Sequence, residues 1–411
     1  MRTSFAKQSF RLFRKRRRFN RKRLIVPGII LFCVLSIMYL TSYQGVQIAP
    51  TQSNLTIPGR FTVTFPEQGE SAIGTSNFGL IASSPDQSPV PIASLAKIMA
   101  AYLVLKDRPL QPGEDGPVVT ITKKDATVYL DDLAESDSVL PVAPGEKLTE
   151  KQLLEGLMLP SADNIAHLLG QWVAGSDAAF VAEMNQTAQA LGMTHTHYAD
   201  ISGANPATVS NAVDQIKIAQ VAMENPVFRE IVDMPQATLP VAGTVFNVDS
   251  MLGRHGIVGI KTGSSLEAGG CFVSATPVTV GGQSFYIIGV VLGQKAGQPL
   301  LTALQESARM LDEVRGEFKL YPITPPASGL TQVVDNWHSD SPLYPATALE
   351  VPGYPGMAVH FSIAPRNVRL PLAPGGTVAT LSIQYGGTVR DVPLYNALAI
   401  HGPALWWRLF R

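Results

Sequence analysis

Apolar positions recur along this chain in three rhythms, and each predicts a different kind of element. The first is an unbroken run. Leu24 to Leu40 carries no charge, and with Thr41 to Tyr43 it reaches about 20 residues, the length that crosses a bilayer as one helix. The second is helical. Ala93 to Leu105 is rich in helix formers and meets no breaker before Pro109. Leu153, Leu154, Leu157 and Met158 form a stripe after Leu148-Thr149, and Gln152 lies three residues past the threonine, as in a capping box. That helix stops at Pro160, and Ser161-Ala162-Asp163-Asn164 opens another through Leu169. Asp177 to Gly192, Val213 to Met223 and Pro299 to Val314 predict three more helices.

The third rhythm is that of strands. Ser71 to Ser83 alternates weakly and predicts a strand or two. Gly256 to Gly263 reads as a buried strand with a cationic tip at Lys261. Cys271 to Thr276 and Phe285 to Leu292, joined through Gly281-Gly282, predict a hairpin. Residues 108–144, with Pro112-Gly113-Glu114-Asp115-Gly116 and the acidic Asp131 to Asp137, read as a loop-rich excursion. From Leu320 to Pro403 the chain is rich in Pro, Gly, Val and Thr, with short alternating runs and no helix signal. The resulting plan is a basic segment 1–23, a spanning helix 24–43, a polar linker 44–66, a main domain 67–318 and a C-terminal β-sandwich-like domain 319–411. The last ends in an aromatic and basic tail, Trp406 to Arg411, expected at the membrane surface or against the β-domain.

Charge changes this picture at one end. Residues 1–23 hold eleven of the 32 Lys and Arg and no acid, so the remainder has 21 basic against 32 acidic residues, a net charge of −11. A nucleic-acid-binding body is excluded by that balance. A basic segment abutting a spanning run is a topology signal: it puts residues 2–23 in the cytoplasm and all beyond Tyr43 outside. A cleaved signal peptide is the alternative, but no small-x-small site follows. Only two cysteines occur, Cys33 in the apolar run and Cys271 far away, so neither a disulfide framework nor a cysteine metal site is expected.

The candidate chemistry begins at Ser94-Leu95-Ala96-Lys97. Three residues is close to one helical turn, so hydroxyl and amine share a face, as a nucleophile and its base must. A lysine among Ala96, Ile98, Met99 and Ala100 is set for desolvation, the condition under which an amine serves as a base. A helix N-terminus also favours developing negative charge at Ser94. Alone, the pair reads more readily as an N-cap serine with a surface lysine than as a catalytic pair, so it needs partners elsewhere.

Those partners recur in order: Ser94-x-x-Lys97, Ser161-Ala162-Asp163-Asn164 and Lys261-Thr262-Gly263. Together they resemble the signatures S-x-x-K, S-x-N and K-T-G of the penicillin-recognising serine enzymes. The finer similarity is to the D-alanyl-D-alanine carboxypeptidases of peptidase family S11. It is carried by Ile92 to Met99, Pro144 to Thr149, Met184-Asn185 through Leu191-Gly192-Met193 to Thr196-His197-Tyr198, and Gly259 to Gly263 followed by Glu267-Ala268-Gly269. It covers roughly residues 70–318.

The resemblance implies an α/β (α+β) catalytic domain of the serine β-lactamase/transpeptidase type, with an antiparallel sheet and helices, followed by a small all-β domain. It implies that Ser94 attacks the penultimate D-Ala carbonyl of a peptidoglycan stem peptide while Lys97 takes its proton. Ser161 would relay a proton to the leaving D-Ala. The backbone N–H groups of Ser94 and Ser264 would form the oxyanion hole, and Lys261 with Thr262 and Gly263 would hold the terminal carboxylate. No metal or organic cofactor is implied, and β-lactam antibiotics would act as covalent inhibitors.

The second motif departs from the family pattern, having Asp163 where Asn is usual and Asn164 one residue later. Either Asp163 faces the cleft and pairs with Lys97 or Lys261, or Asn164 takes the site and Asp163 caps the helix; the usual two-residue spacing from Ser161 favours the first. The competing functions are a β-lactamase, for which no deacylating carboxylate is marked, and an inactive muropeptide-binding relative, against which intact Ser94, Lys97 and Lys261 argue.

Overall fold

The computed structural model describes residues 22–41, 47–48, 52–325, 333–334, 341–368 and 370–401. At its centre is an antiparallel sheet of five strands in the order Ile260–Ser265, Gly269–Val280, Gln283–Gln294, Glu70–Thr75, Gly79–Ser83. Its longest pair turns through Gly281 and Gly282, at φ 58° and 81°. Two consecutive positive φ angles are what a tight hairpin needs, and glycine supplies them without steric cost. The predicted cationic strand begins later than its apolar pattern suggests, at Ile260, and forms one edge of the sheet.

One sheet face packs against the helix Pro299–Arg315, through Ile73, Phe272, Ile287 and Val291 facing Ala303, Leu304 and Leu311. The other face carries the helices. Ala96–Asp107 lies innermost, with Glu150–Met158, Asp163–Ala174, Asp177–Ala190, Ala212–Ala222 and Pro226–Val232 around it. Ala96–Asp107 is apolar on every side, which is why it sits inside the domain rather than on it. Gly74 allows Ala212–Ala222 to approach the sheet, because a Cβ there would lie 2.6 Å from Ile216 Cγ2. The predicted capping box forms, with Gln152 N–H donating to Thr149 Oγ1 at 3.2 Å and Thr149 N–H to Gln152 Oε1 at 3.0 Å.

Two stretches differ from expectation. The excursion 108–144 holds a helix, Lys123–Ala134, started by a second capping box between Thr122 and Asp125. None of its side chains is fully buried, so it lacks the apolar stripe that would have announced it. The linker 44–66 is more than a tether. Gln52–Thr56 pairs antiparallel with Ala358–Pro365 and becomes an edge of the C-terminal sheet, in the order Leu343–Pro345, Thr388–Asn396, Thr377–Tyr385, Ala358–Pro365, Gln52–Thr56. A further ladder, Lys319–Pro322 with Glu350–Gly353, covers the apolar face of that sheet, and Ile57, Ile323 and Val351 share one core with Val359, Leu381 and Ile383. The two domains meet through aromatic edges: Phe61 lies 5.5 Å from Tyr354 and 6.0 Å from Phe318 between ring centroids.

The apolar N-terminal run forms a helix, Lys22–Thr41. Within it Ile29, Ile30, Leu31 and Phe32 are more than half exposed. Among the described residues no helix is long and apolar enough to cross a membrane. The tail Trp406 to Arg411 lies outside the described residues.

Ile57 decides whether the first strand is structural. It is 1% exposed, so Ile57→Ala is expected to cost about 2–5 kcal/mol through the cavity left behind. Calorimetry on residues 44–411 should show the C-terminal domain melting earlier, with acylation by penicillin kept. Unchanged melting would mean that 52–57 is only a tether.

Candidate active site

Lys97 Nζ is the meeting point of three segments. It lies 2.8 Å from Ser94 Oγ, 3.4 Å from Ser161 Oγ, 3.2 Å from the Ser202 carbonyl oxygen and 2.5 Å from Asp163 Oδ1. The Asp163 contact is one of charge, outside hydrogen-bond alignment. Lys97 is fully buried while Ser94 keeps partial access to solvent.

Local backbone explains the convergence. A 3-10 turn, Ala93–Leu95, precedes the Ala96–Asp107 helix, so Ser94 sits at its mouth and Lys97 one turn inside. Ala93 and Ser161 both take left-handed backbone, at φ 47° and 67°, a conformation that costs a non-glycine residue about 1–2 kcal/mol. At Ser161 this kink follows Pro160 and brings the hydroxyl to Lys97. The edge strand reaches the serine because Gly263 has no side chain: a Cβ there would lie 3.1 Å from Ser94 N and 3.0 Å from the Ile92 carbonyl oxygen. Lys261 and Thr262 are buried on that strand and Ser264 is exposed just beyond.

The alternative at the second motif resolves toward Asp163. Asn164 uses its amide on Leu140, accepting from Leu140 N–H at 2.9 Å and donating to the Leu140 carbonyl at 3.0 Å. Its amide, expected at the substrate, is engaged here with that backbone. Asp163 N–H donates to the Ser138 carbonyl at 2.7 Å, tying the end of the acidic excursion to the cleft. The partner of the Asp163 carboxylate is Lys97.

Lys261 is buried, with its ammonium donating to the Thr262 carbonyl at 3.1 Å. Burial, and then the charge of Lys97, bring its pKa down to about 7, against the opposing pull of Asp163 and Asp249. Asp249 is itself pushed up to about 6 by burial, and one of its oxygens, Oδ2, has no hydrogen-bond partner. Two contributors carried no side-chain motif: the Ser202 carbonyl and the turn that holds it. Asp200-Ile201-Ser202-Gly203-Ala204-Asn205 does carry the composition of an Asx turn, which was the available signal.

The sequence model of the D-alanyl-D-alanine carboxypeptidase family, peptidase family S11, matches residues 75–296. The chain belongs to that family. A D-alanyl-D-alanine carboxypeptidase of Streptomyces sp. strain K15 is 35% identical over 216 residues, 48% of this chain and 71% of that protein. One from Mycobacterium tuberculosis is 32% identical over 207 residues, 48% of this chain and 66% of its own length. The crystal structure of the Streptomyces K15 DD-transpeptidase, at 28% identity, superposes with a TM-score of 0.52 over 61% of this chain and 98% of its own. Both the S11 assignment and this likeness agree with the α/β, transpeptidase-like fold expected from the motifs.

The electrostatics of this S11 peptidase give a signed prediction. Above pH 7 the empty site holds Lys261 mostly neutral, and a bound carboxylate favours the ammonium. Calorimetry of the Ser94→Ala variant with a peptide ending in D-Ala-D-Ala, in buffers of different ionisation heat, should show net proton uptake at pH 8 and much less at pH 6. No uptake at pH 8 would remove Lys261 from carboxylate binding.

Proposed function

We propose that the protein is a cell-wall serine carboxypeptidase that removes the terminal D-alanine from peptidoglycan stem pentapeptides through an ester at Ser94. The observation that carries this reading is the 2.8 Å contact between Lys97 Nζ and Ser94 Oγ beside the Lys261-Thr262-Gly263 strand. Lys261 and Thr262 hold the peptide's terminal carboxylate, which sets the scissile bond over Ser94. Ser94 Oγ forms a bond to the penultimate carbonyl carbon as Lys97 takes its proton. The resulting oxyanion is held by the N–H groups of Ser94 and Ser264. The proton passes by Ser161 to the leaving nitrogen, the C–N bond breaks, and free D-alanine departs. Water then hydrolyses the ester and restores Ser94. A β-lactam enters by the same first step and remains as a stable acyl group.

The solved relative is called a DD-transpeptidase, and the same ester could pass to an amine instead of water. Partial solvent access at Ser94 favours hydrolysis as the main outcome.

Membrane attachment belongs to the same proposal. On the sequence alone, the charge-free run 24–43 is long enough to span the cytoplasmic membrane, with residues 2–23 inside and the catalytic domain outside, although no helix among the described residues is long and apolar enough to cross. Its support is the eleven basic residues up to position 23 and the exposed apolar side chains of the helix Lys22–Thr41.

Purified wild-type protein given a peptide ending in D-Ala-D-Ala is expected to release D-alanine and the shortened free acid. A labelled penicillin should mark Ser94 by mass spectrometry, and Ser94→Ala should lose both activities with its melting temperature kept. An adduct elsewhere, or turnover by the variant, would refute the assignment. For the topology, protease added to intact spheroplasts should digest the body of the chain. Full protection would contradict it.

A further inference from the structure

A buried amine acts as a base toward one oxygen only if its lone pair points there, and four oxygens surround Lys97 Nζ. Two of them, the Ser202 carbonyl at 3.2 Å and the Asp163 carboxylate at 2.5 Å, can only accept. A neutral amine has two N–H groups: the Ser202 carbonyl takes one as a hydrogen bond, and the charge of Asp163 draws the other to its side. The lone pair is left toward the hydroxyls, of which Ser94 at 2.8 Å is nearer than Ser161 at 3.4 Å. The aim of the base therefore depends on where the Ser202 carbonyl is held.

That carbonyl belongs to a turn built on one side chain. Asp200 Oδ2 accepts from Ser202 Oγ at 3.0 Å and from the N–H groups of Gly203 at 2.9 Å, Ala204 at 2.9 Å and Asn205 at 3.3 Å. Its other oxygen, Oδ1, accepts from Thr208 Oγ1. Thr208 is fully buried and in turn accepts from the N–H groups of Ala199 at 3.0 Å and Asp200 at 3.2 Å, which locks the turn to the body of the domain. The same turn touches the nucleophile's backbone. Gly203 stands at φ +84°, and a Cβ there would lie 1.9 Å from the Ala93 carbonyl oxygen. One carboxylate thus sets both the acceptor that orients Lys97 and the surface on which Ala93 and Ser94 rest.

We propose that Asp200 is a positioning residue for the acylation step, acting through the Ser202 carbonyl to point the Lys97 lone pair at Ser94. It touches neither Lys97 nor Ser94 itself. The proposal rests on the acyl-enzyme reading of Ser94 and Lys97 given above.

The test is stopped-flow acylation of the full chain by a fluorescent penicillin, separating the prior binding constant Kd from the acylation rate constant. Asp200→Ala is expected to slow acylation by about 10- to 100-fold, the range for a modest misplacement of a reacting group, with Kd within about twofold of wild type. Asp200→Asn keeps one acceptor oxygen for the Gly203 and Ala204 N–H groups and should recover most of the rate. Melting curves accompany both, and if Asp200→Ala fails to fold, Asp200→Asn must still show a slower rate at unchanged Kd and melting temperature. An unchanged rate in the folded alanine variant, or a loss confined to Kd, overturns the proposal. Absence of any Ser94 adduct in the wild type would instead overturn the acyl-enzyme reading on which it stands.

Discussion

The catalytic domain depends on a single ammonium placed inside an apolar core. Lys97 sits in a helix whose other inward positions are Ala, Ile, Met, Leu and Val, and burying its charge there is costly unless oxygens surround it. The oxygens come from parts of the chain far apart in sequence: Ser94 from its own turn, Ser161 and Asp163 from the start of Asp163–Ala174, and Ser202 from the turn after Tyr198. Removing one partner of such a pair leaves an uncompensated buried charge, an effect of about 3–5 kcal/mol. The groups that hold the domain together at this point are thus the groups that surround the serine.

Two close approaches complete the arrangement. The backbone leading into Ser94 lies between Gly203 and Gly263, and at both positions any side chain would collide with or crowd residues 92–94. Ala93 accepts left-handed backbone in that narrow space. Strain of this kind persists only where the surroundings over-determine it, and here a sheet edge and a carboxylate-built turn do so from two sides. The five-stranded sheet contributes its edge strand to the cleft, and the helix Pro299–Arg315 covers its far face.

What could be read from sequence follows from what kind of group does the work. Ser94 and Lys97 were legible because a three-residue spacing on a helix fixes their relation locally, and the Gly281-Gly282 hairpin because its turn chemistry is local too. The two-residue spacing from Ser161 favoured Asp163 over Asn164 at the cleft, but what holds Asn164 away is Leu140, whose backbone claims the asparagine amide. Gln52–Thr56 has one large apolar residue in five, and its partner lies about 300 residues away, so nothing local marks it as a strand. The Ser202 carbonyl is a backbone atom, marked in the sequence only by the turn composition of Asp200 to Asn205 around it.

The central claim is that Lys97 acts by giving up and taking back a proton, not merely by carrying charge. Arginine keeps the positive charge and cannot be deprotonated in a protein. The acylation rate of Lys97→Arg by penicillin tests this most directly. A fall of about 10²–10⁴-fold, the contribution of a general base, is predicted in a protein that still folds and still binds the antibiotic before reaction. A folded Lys97→Arg variant that acylates within about tenfold of wild type would contradict the account.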